Sequence, residues 1–282
     1  MTENKTVSPL EAPSGKNEST ENFPVTKLVS AKYRPHVAAF YLFARAADDI
    51  SDDPLLPAED KIARLDRMDA ALINEADNSI TSVIPLRHSL KETGVTPQHA
   101  RDLLIAFKRD ATKLRYENWD ELLDYCRYSA NPVGRYLLDL HGEAKSAWPA
   151  NDALCSVLQI INHIQDCADD YRQLDRVYIP LDMMAACGAN PTMLSNEECD
   201  PALRRALDAM LDKMGPMMAL ESTFASQIKD RRLRIDTAVI DEVAKSLVKI
   251  LRARDPLCDN VKLSKMQKLF ALLSGTIRGY WG

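Results

Sequence analysis

Only nine of the 282 residues are glycine and 6% are aromatic, which leaves little material for a sheet-built fold. Strands favour aromatic and β-branched residues and turn at glycine, and no stretch here sustains an apolar–polar alternation. No run of 18 or more apolar residues occurs, so no segment is long enough to cross a bilayer as a helix. Residues 1–20 lack the apolar centre of a secretory signal. Basic residues are not in excess: the net charge of −5 gives no footprint for nucleic acid, which is not expected as a partner. The six cysteines form no CxxC pair and mostly sit where small apolar residues would, which points to a reducing cytoplasm.

What remains is a chain rich in Ala, Leu, Asp, Lys and Arg with helical periodicity, and the expected class is all-α. Residues 1–20 are polar and expected to be disordered, with one helical domain over 21–282. Pro35 opens a helix that runs to Asp53, where Pro54 and Pro57 stop it. Further helices are expected at 57–77, 79–92, 97–113, from 118 to Asn131-Pro132 and on to Leu140, and at 151–171. Beyond a surface connection at 184–200, a helix from 200 breaks at Gly215-Pro216, and two more follow near 233–254 and 261–275.

Two of these helices carry carboxylates where a buried helix should be apolar. In the first, Tyr41, Arg45, Asp48 and Asp52 fall within roughly 60° of one another at about 100° per residue. In the second, Gln159, Asn162, Asp166, Asp170 and Gln173 fall within roughly 80°. Like charges at i, i+4 oppose helix formation, and carboxylates near a helix C-terminus also meet the negative end of its dipole. A cation offsets both effects. Oxygen donors without His or Cys favour Mg²⁺, which takes one or two carboxylates and completes its shell with water and phosphate oxygens. Two readings stand for the clusters, solvated helix ends or metal ligands, and the recurrence over 100 residues apart favours the second. Arg45 likewise reads either as an ion-pair partner of Asp48 or Asp49 or as a phosphate ligand. His163 falls outside the stripe of Asn162 and Asp166. Glu-x-x-His pairs are absent, which removes a di-iron bundle, and so is the Asn-Asp-x-x-Ser-x-x-x-Glu pattern of terpene cyclases.

The segments Arg45-Ala46-Ala47-Asp48-Asp49-Ile50-Ser51-Asp52, Gln159 to Tyr171 and Arg176-Val177-Tyr178-Ile179-Pro180 resemble the Arg-DxxxD, QxxNxxxDxxxD and R-x-Y-x-P motifs of the squalene/phytoene synthase family. The resemblance spans nearly the whole chain from about residue 21. The stretches Glu21 to Val25, Arg34 to Tyr41 and Asp166 to Arg172 most resemble its bacterial hydroxysqualene-forming branch. It implies a helical bundle of the class I isoprenoid synthase type with a central cavity, in which the two acidic clusters face one another. It also implies a lyase that ionises presqualene diphosphate and captures the rearranged cation with water, as a step of squalene and hopanoid biosynthesis. Carried over by position, Asp48, Asp52, Asp166 and Asp170 bind Mg²⁺, Asn162 supports the second cluster, and Arg45 and Arg176 hold diphosphate. Tyr41 lies near the departing group or the cation, while Asp49, Asp53 and Asp169 are outer residues. No nicotinamide cofactor is expected. A cytoplasmic protein, peripheral to the inner membrane and handing over to other squalene-pathway enzymes, follows from the same resemblance. Alternatives within the family are a head-to-head prenyl transferase acting on farnesyl diphosphate and a non-catalytic scaffold.

Overall fold

A computed structural model describes residues 29–259 and 261–281. The expected tail at 1–20 and the opening at 21–28 lie outside the described residues. All regular structure among those described is helical, apart from one isolated parallel bridge between Arg115 and Val177. The contacts gather into two compact units, the first ending at Thr112 and the second beginning at Lys113.

The first unit holds α1 (Arg34–Asp52), α2 (Ala58–Ile73), α3 (Val83–Thr93) and α4 (Gln98–Asp110). Helix α1 starts with proline in its first turn, and no side chain caps it. It buries Val37, Phe40, Phe43, Ala47 and Ile50, a helical stripe packed on α3 and α4. It ends where Asp53 turns extended (ψ 112°), the backbone that a following proline requires. Lys61 Nζ (2.8 Å) covers the Ser51 carbonyl, and Ser51 Oγ donates to the Phe107 carbonyl of α4. Arg87 fills the end of α2 in the same way, donating to the carbonyls of Ala71, Asn74 and Asp77. The acidic end of α1 is thereby fixed against α2 and α4.

In the second unit, α5 (Trp119–Ser129) begins at Asn118, whose side chain accepts from the Glu121 N–H. Then come α6 (Asn131–Leu140), α7 (Trp148–Gln165), α8 (Cys167–Leu174), α9 (Leu181–Ala186), α10 (Pro201–Lys213) and α11 (Gly215–Glu221). Two long helices close it, α12 (Arg231–Ala253) and α13 (Lys265–Trp281). The most apolar of the long helices is α7, which buries Leu154, Val157, Ile160, Ile161 and Ile164 and packs against α5, α6, α11 and α12. Gly134 lets α6 approach it: a Cβ there would clash with Asn151 Oδ1.

Three polar features tie this unit together. Buried Glu143 accepts from the backbone N–H groups of Lys229 (2.9 Å) and Asp230 (2.7 Å), just ahead of α12. The Val177 N–H bonds the Leu114 carbonyl (2.9 Å) and that of Leu181 bonds the Tyr116 carbonyl (2.9 Å). Glu221, 1% exposed at the end of α11, stands against Asp241 of α12, which Lys245 (2.9 Å) and Arg278 hold as an ion pair.

Two sequence expectations change. The helix expected over 151–171 breaks at Asp166 (φ −101°, ψ 7°), which ends α7 and precedes α8. The last helix occupies Lys265–Trp281 rather than 261–275, because Gly275 and Gly279 are packing contacts within it and do not terminate it.

Candidate active site

The first acidic cluster lies on the last turns of α1. Arg45 reaches both Asp48 (2.9 Å) and Asp49 (2.6 Å). Although burial acts against its charge, these two carboxylates raise its pKa further, and Tyr41, one turn earlier, adds to the same field. Asp48 behaves differently. Crowding by protein drives its carboxyl up to about 7, the charges of Asp52, Asp110 and Asp49 push the same way, and Arg45 alone opposes them. About a third of its side chain still reaches solvent. Asp52 shares the half-buried face, whereas Asp53 accepts from the Leu55 N–H (2.8 Å) and shapes the turn after the helix.

Asp110 is a member that the sequence reading missed. It is 5% exposed at the end of α4 and adds a carboxyl to the field around Asp48. Its signal was legible: it continues the buried stripe of Leu103 and Ala106 with an acid where a hydrophobic residue belongs.

The second cluster spans the break between α7 and α8. Asn162 is half-buried in the last turn of α7, Asp166 is exposed at the junction, and Asp170 is half-buried on α8 beside exposed Asp169. The backbone stays close to helical through the break, with Asp166 N–H to Asn162 O at 2.9 Å and Asp170 N–H to Asp166 O at 2.8 Å. Asn162, Asp166 and Asp170 thus remain on successive turns. Arg176 follows, 6% exposed, its N–H on the Asp170 carbonyl (3.1 Å). Arg172 instead donates to the Asn196 carbonyl (2.8 Å).

His163, next to Asn162 in the last turn of α7, belongs to a buried aromatic cluster. His163 stacks on Tyr178 with centroids 3.6 Å apart and planes 15° from parallel. Tyr116 and Tyr125 pack around Tyr178 at 5.6 and 5.3 Å. Burial lowers His163 to about 3, and the nearby Arg176 charge assists, so the ring is neutral at physiological pH. Its Nε2 meets Gln159 Nε2 at 3.2 Å.

Among the described residues no three or more His, Cys, Asp or Glu side chains converge on one point as a ready cage. The arrangement suits magnesium all the same. That ion takes one or two carboxylates plus water and phosphate oxygens, and Asp48 is held among three other acids whose repulsion a divalent cation would relieve. In the first unit Asp48 and Asp52 lie one turn apart on α1, and in the second Asp166 and Asp170 lie one turn apart around the α7–α8 break.

Residues 16–267 match the squalene/phytoene synthase family model. The chain is 43% identical over 266 residues to the hydroxysqualene synthase of Rhodopseudomonas palustris, covering 94% of this chain and 91% of that protein. It is 44% identical over 259 residues to the hydroxysqualene synthase of Zymomonas mobilis subsp. mobilis, covering 91% and 87%. The crystal structure of squalene synthase HpnC from Alicyclobacillus acidocaldarius is similar with a TM-score of 0.74 and 26% identity, over 84% of this chain and 90% of that one. With helices throughout, acid-bearing helices in both units and this extent of likeness, the chain belongs to the squalene/phytoene synthase family, and its fold is that of the isoprenoid synthases.

Proposed function

We propose that the chain converts presqualene diphosphate and water to hydroxysqualene and diphosphate. The observation that carries this reading is identity of 43–44% to hydroxysqualene synthases across nine tenths of the sequence. The balance is simple: the carbon–oxygen bond to diphosphate breaks heterolytically, the cyclopropylcarbinyl cation rearranges, and water forms the new carbon–oxygen bond. The proton lost from that water ends on diphosphate, and no hydride is taken up. Asp48 and Asp52 in the first unit, and Asp166 and Asp170 in the second, would hold magnesium, which when bound would neutralise the leaving group's charge.

The chain's own groups do the rest. Arg45 exchanges part of its contact with Asp48 and Asp49 for a diphosphate oxygen, and Arg176 binds another, both as charge-assisted donors. The Asn162 amide orients the Asp166 carboxylate one turn on. Tyr41, on the face of α1 that carries Arg45 and Asp48, lies against the departing group. The neutral ring of His163 and the rings of Tyr116, Tyr125 and Tyr178 would offer π surface near the end of α7, which tolerates positive charge without reacting with it. Substrate and product are long hydrocarbons, so we place the protein on the cytoplasmic side of the inner membrane, exchanging them with neighbouring enzymes of the squalene pathway.

The test is incubation of the purified protein and Mg²⁺ with presqualene diphosphate or farnesyl diphosphate, with and without NADPH, with products identified by gas chromatography and mass spectrometry. Hydroxysqualene from presqualene diphosphate, independent of NADPH, is expected. Asp48→Ala and Asp166→Ala are expected to lose turnover at an unchanged circular dichroism spectrum. Consumption of farnesyl diphosphate instead would make the protein a condensing synthase, and near-normal turnover in either variant would remove the metal-site assignment.

A further inference from the structure

Helix α13 is amphipathic the wrong way round. Toward α12 it presents small residues: Ala271 is fully buried, and a Cβ on Gly275 or Gly279 would come within 2.5 Å of Val239 Cα or 2.7 Å of Ile235 Cα. Arg278 pairs with Asp241 and Glu242, and Arg234 Nε donates to the Gly279 carbonyl (3.0 Å), so this inner face is locked. Six large apolar residues point the other way. Met266, Leu269, Phe270, Leu273, Ile277 and Tyr280 fall within an arc of roughly 100° and are 49–75% exposed. Contiguous exposed apolar surface of this kind marks a binding face, and single surface leucines do not.

Charge identifies the occupant. In a chain of net charge −5, residues 261–282 contain Lys262, Lys265, Lys268 and Arg278 and no Asp or Glu. Lys262 and Lys265 are exposed around the start of the helix, and Arg231 lies over the Tyr280 ring (4.1 Å) at its far end, so cationic groups flank the apolar stripe at both ends, whereas Lys268 lies on the opposite side of the helix. A second copy would bring no carboxylate from its own 261–282 segment to meet those lysines. An anionic bilayer supplies both complements at once, phosphates for the lysines and acyl chains for the stripe. No helix among those described is long and apolar enough to cross a membrane, so the fitting mode is to lie in its surface.

We propose that α13 is a membrane-docking helix that seats the protein on anionic lipid through the Met266–Tyr280 face. The proposal rests on the reading above that the substrate is an isoprenoid diphosphate that partitions into membranes, and it identifies the surface that meets that membrane. The test is co-sedimentation of the full chain with vesicles of pure phosphatidylcholine, or of phosphatidylcholine with about a quarter phosphatidylglycerol. Binding to the anionic vesicles alone, weakened by salt, is expected. Each lysine near such a surface accounts for roughly fivefold in partitioning, so Lys262→Glu with Lys265→Glu should reduce binding by at least about twentyfold. Leu273→Asp with Ile277→Asp should reduce it to a similar degree, with a circular dichroism melt checking the fold; the lysine pair decides alone if the apolar pair misfolds. Wild-type protein remaining in the supernatant, or lysine variants binding like wild type, would overturn the proposal. So would a gel-filtration dimer that the aspartate pair converts to monomer, since the face would then belong to a second copy. Turnover of presqualene diphosphate in detergent micelles is read separately: its absence refutes the proposed reaction and leaves the vesicle result to decide the docking.

Discussion

The buried acid pair of Glu221 and Asp241 should make the protein lose stability as pH rises, and replacing Glu221 with Gln should remove most of that loss. Glu221 is 1% exposed, and no N–H or hydroxyl donor meets either of its oxygens. Burial first, and then the neighbouring Asp241 charge, push its carboxyl from 4.5 up to about 9, against the weaker pull of Lys245 and Arg278. A raised carboxyl stays protonated in the folded chain while the unfolded chain has released its proton. Its contribution is therefore whole below about pH 4.5 and is lost as pH climbs toward 9. At about 1.4 kcal/mol per pH unit, the loss by pH 7 is on the order of 3 kcal/mol, and between pH 5.5 and 8.5 it is about 4 kcal/mol. Gln keeps the shape and cannot ionise. With roughly 2–4 °C per kcal/mol for a chain of this size, Glu221→Gln should melt about 5–10 °C above wild type at pH 7. It should also flatten the decline from pH 5.5 to 8.5. Differential scanning fluorimetry across that range measures both, and a variant with the same pH slope as wild type would refute the reasoning.

On the acid side the controlling group is His163, buried against Tyr178 and lowered to about 3. Its depressed pKa means the unfolded chain takes up the proton first, so stability falls as pH drops from about 6.5 toward 3; His163→Phe, which keeps a ring in the stack, should lessen that fall in acid melts. The close seat of α13 should also be measurable. Gly275→Ala puts a methyl 2.5 Å from Val239 Cα, where only backbone movement can relieve it, and should destabilise by about 1–3 kcal/mol in urea unfolding. An unchanged midpoint would mean that α13 does not pack as described.

Local chemistry made some of the architecture readable in advance. The start and stop of α1 followed from Pro35, the Phe40–Phe43–Ala47–Ile50 stripe and Pro54, all within one segment, and the Gly215-Pro216 break separates α10 from α11 for the same kind of reason. The break at Asp166 was not readable, because no glycine or proline marks it and the apolar period runs through. The length of the last helix was not readable either, because Gly275 and Gly279, residues that often stop helices, here serve contact with α12, a partner that the local sequence does not reveal. The same limit hid the seat of His163, which depends on Tyr178 fifteen residues later. The carboxylates themselves were legible because charge on an otherwise apolar face is a local anomaly, and so was the ion pairing of Arg45, which meets both Asp48 and Asp49.

The Glu143 carboxylate has a consequence for the order in which the chain is made. Its backbone donors on Lys229 and Asp230 lie 86 and 87 residues downstream, so a nascent chain that has emerged only through α11 offers this acid nothing but water. Helices α6 and α7 can pair before then, since their contacts are local, but the loop ending in Glu143 must stay hydrated until α12 emerges. Its burial and the start of α12 are then one event, which makes the arrival of that long helix the step that closes the second unit during synthesis.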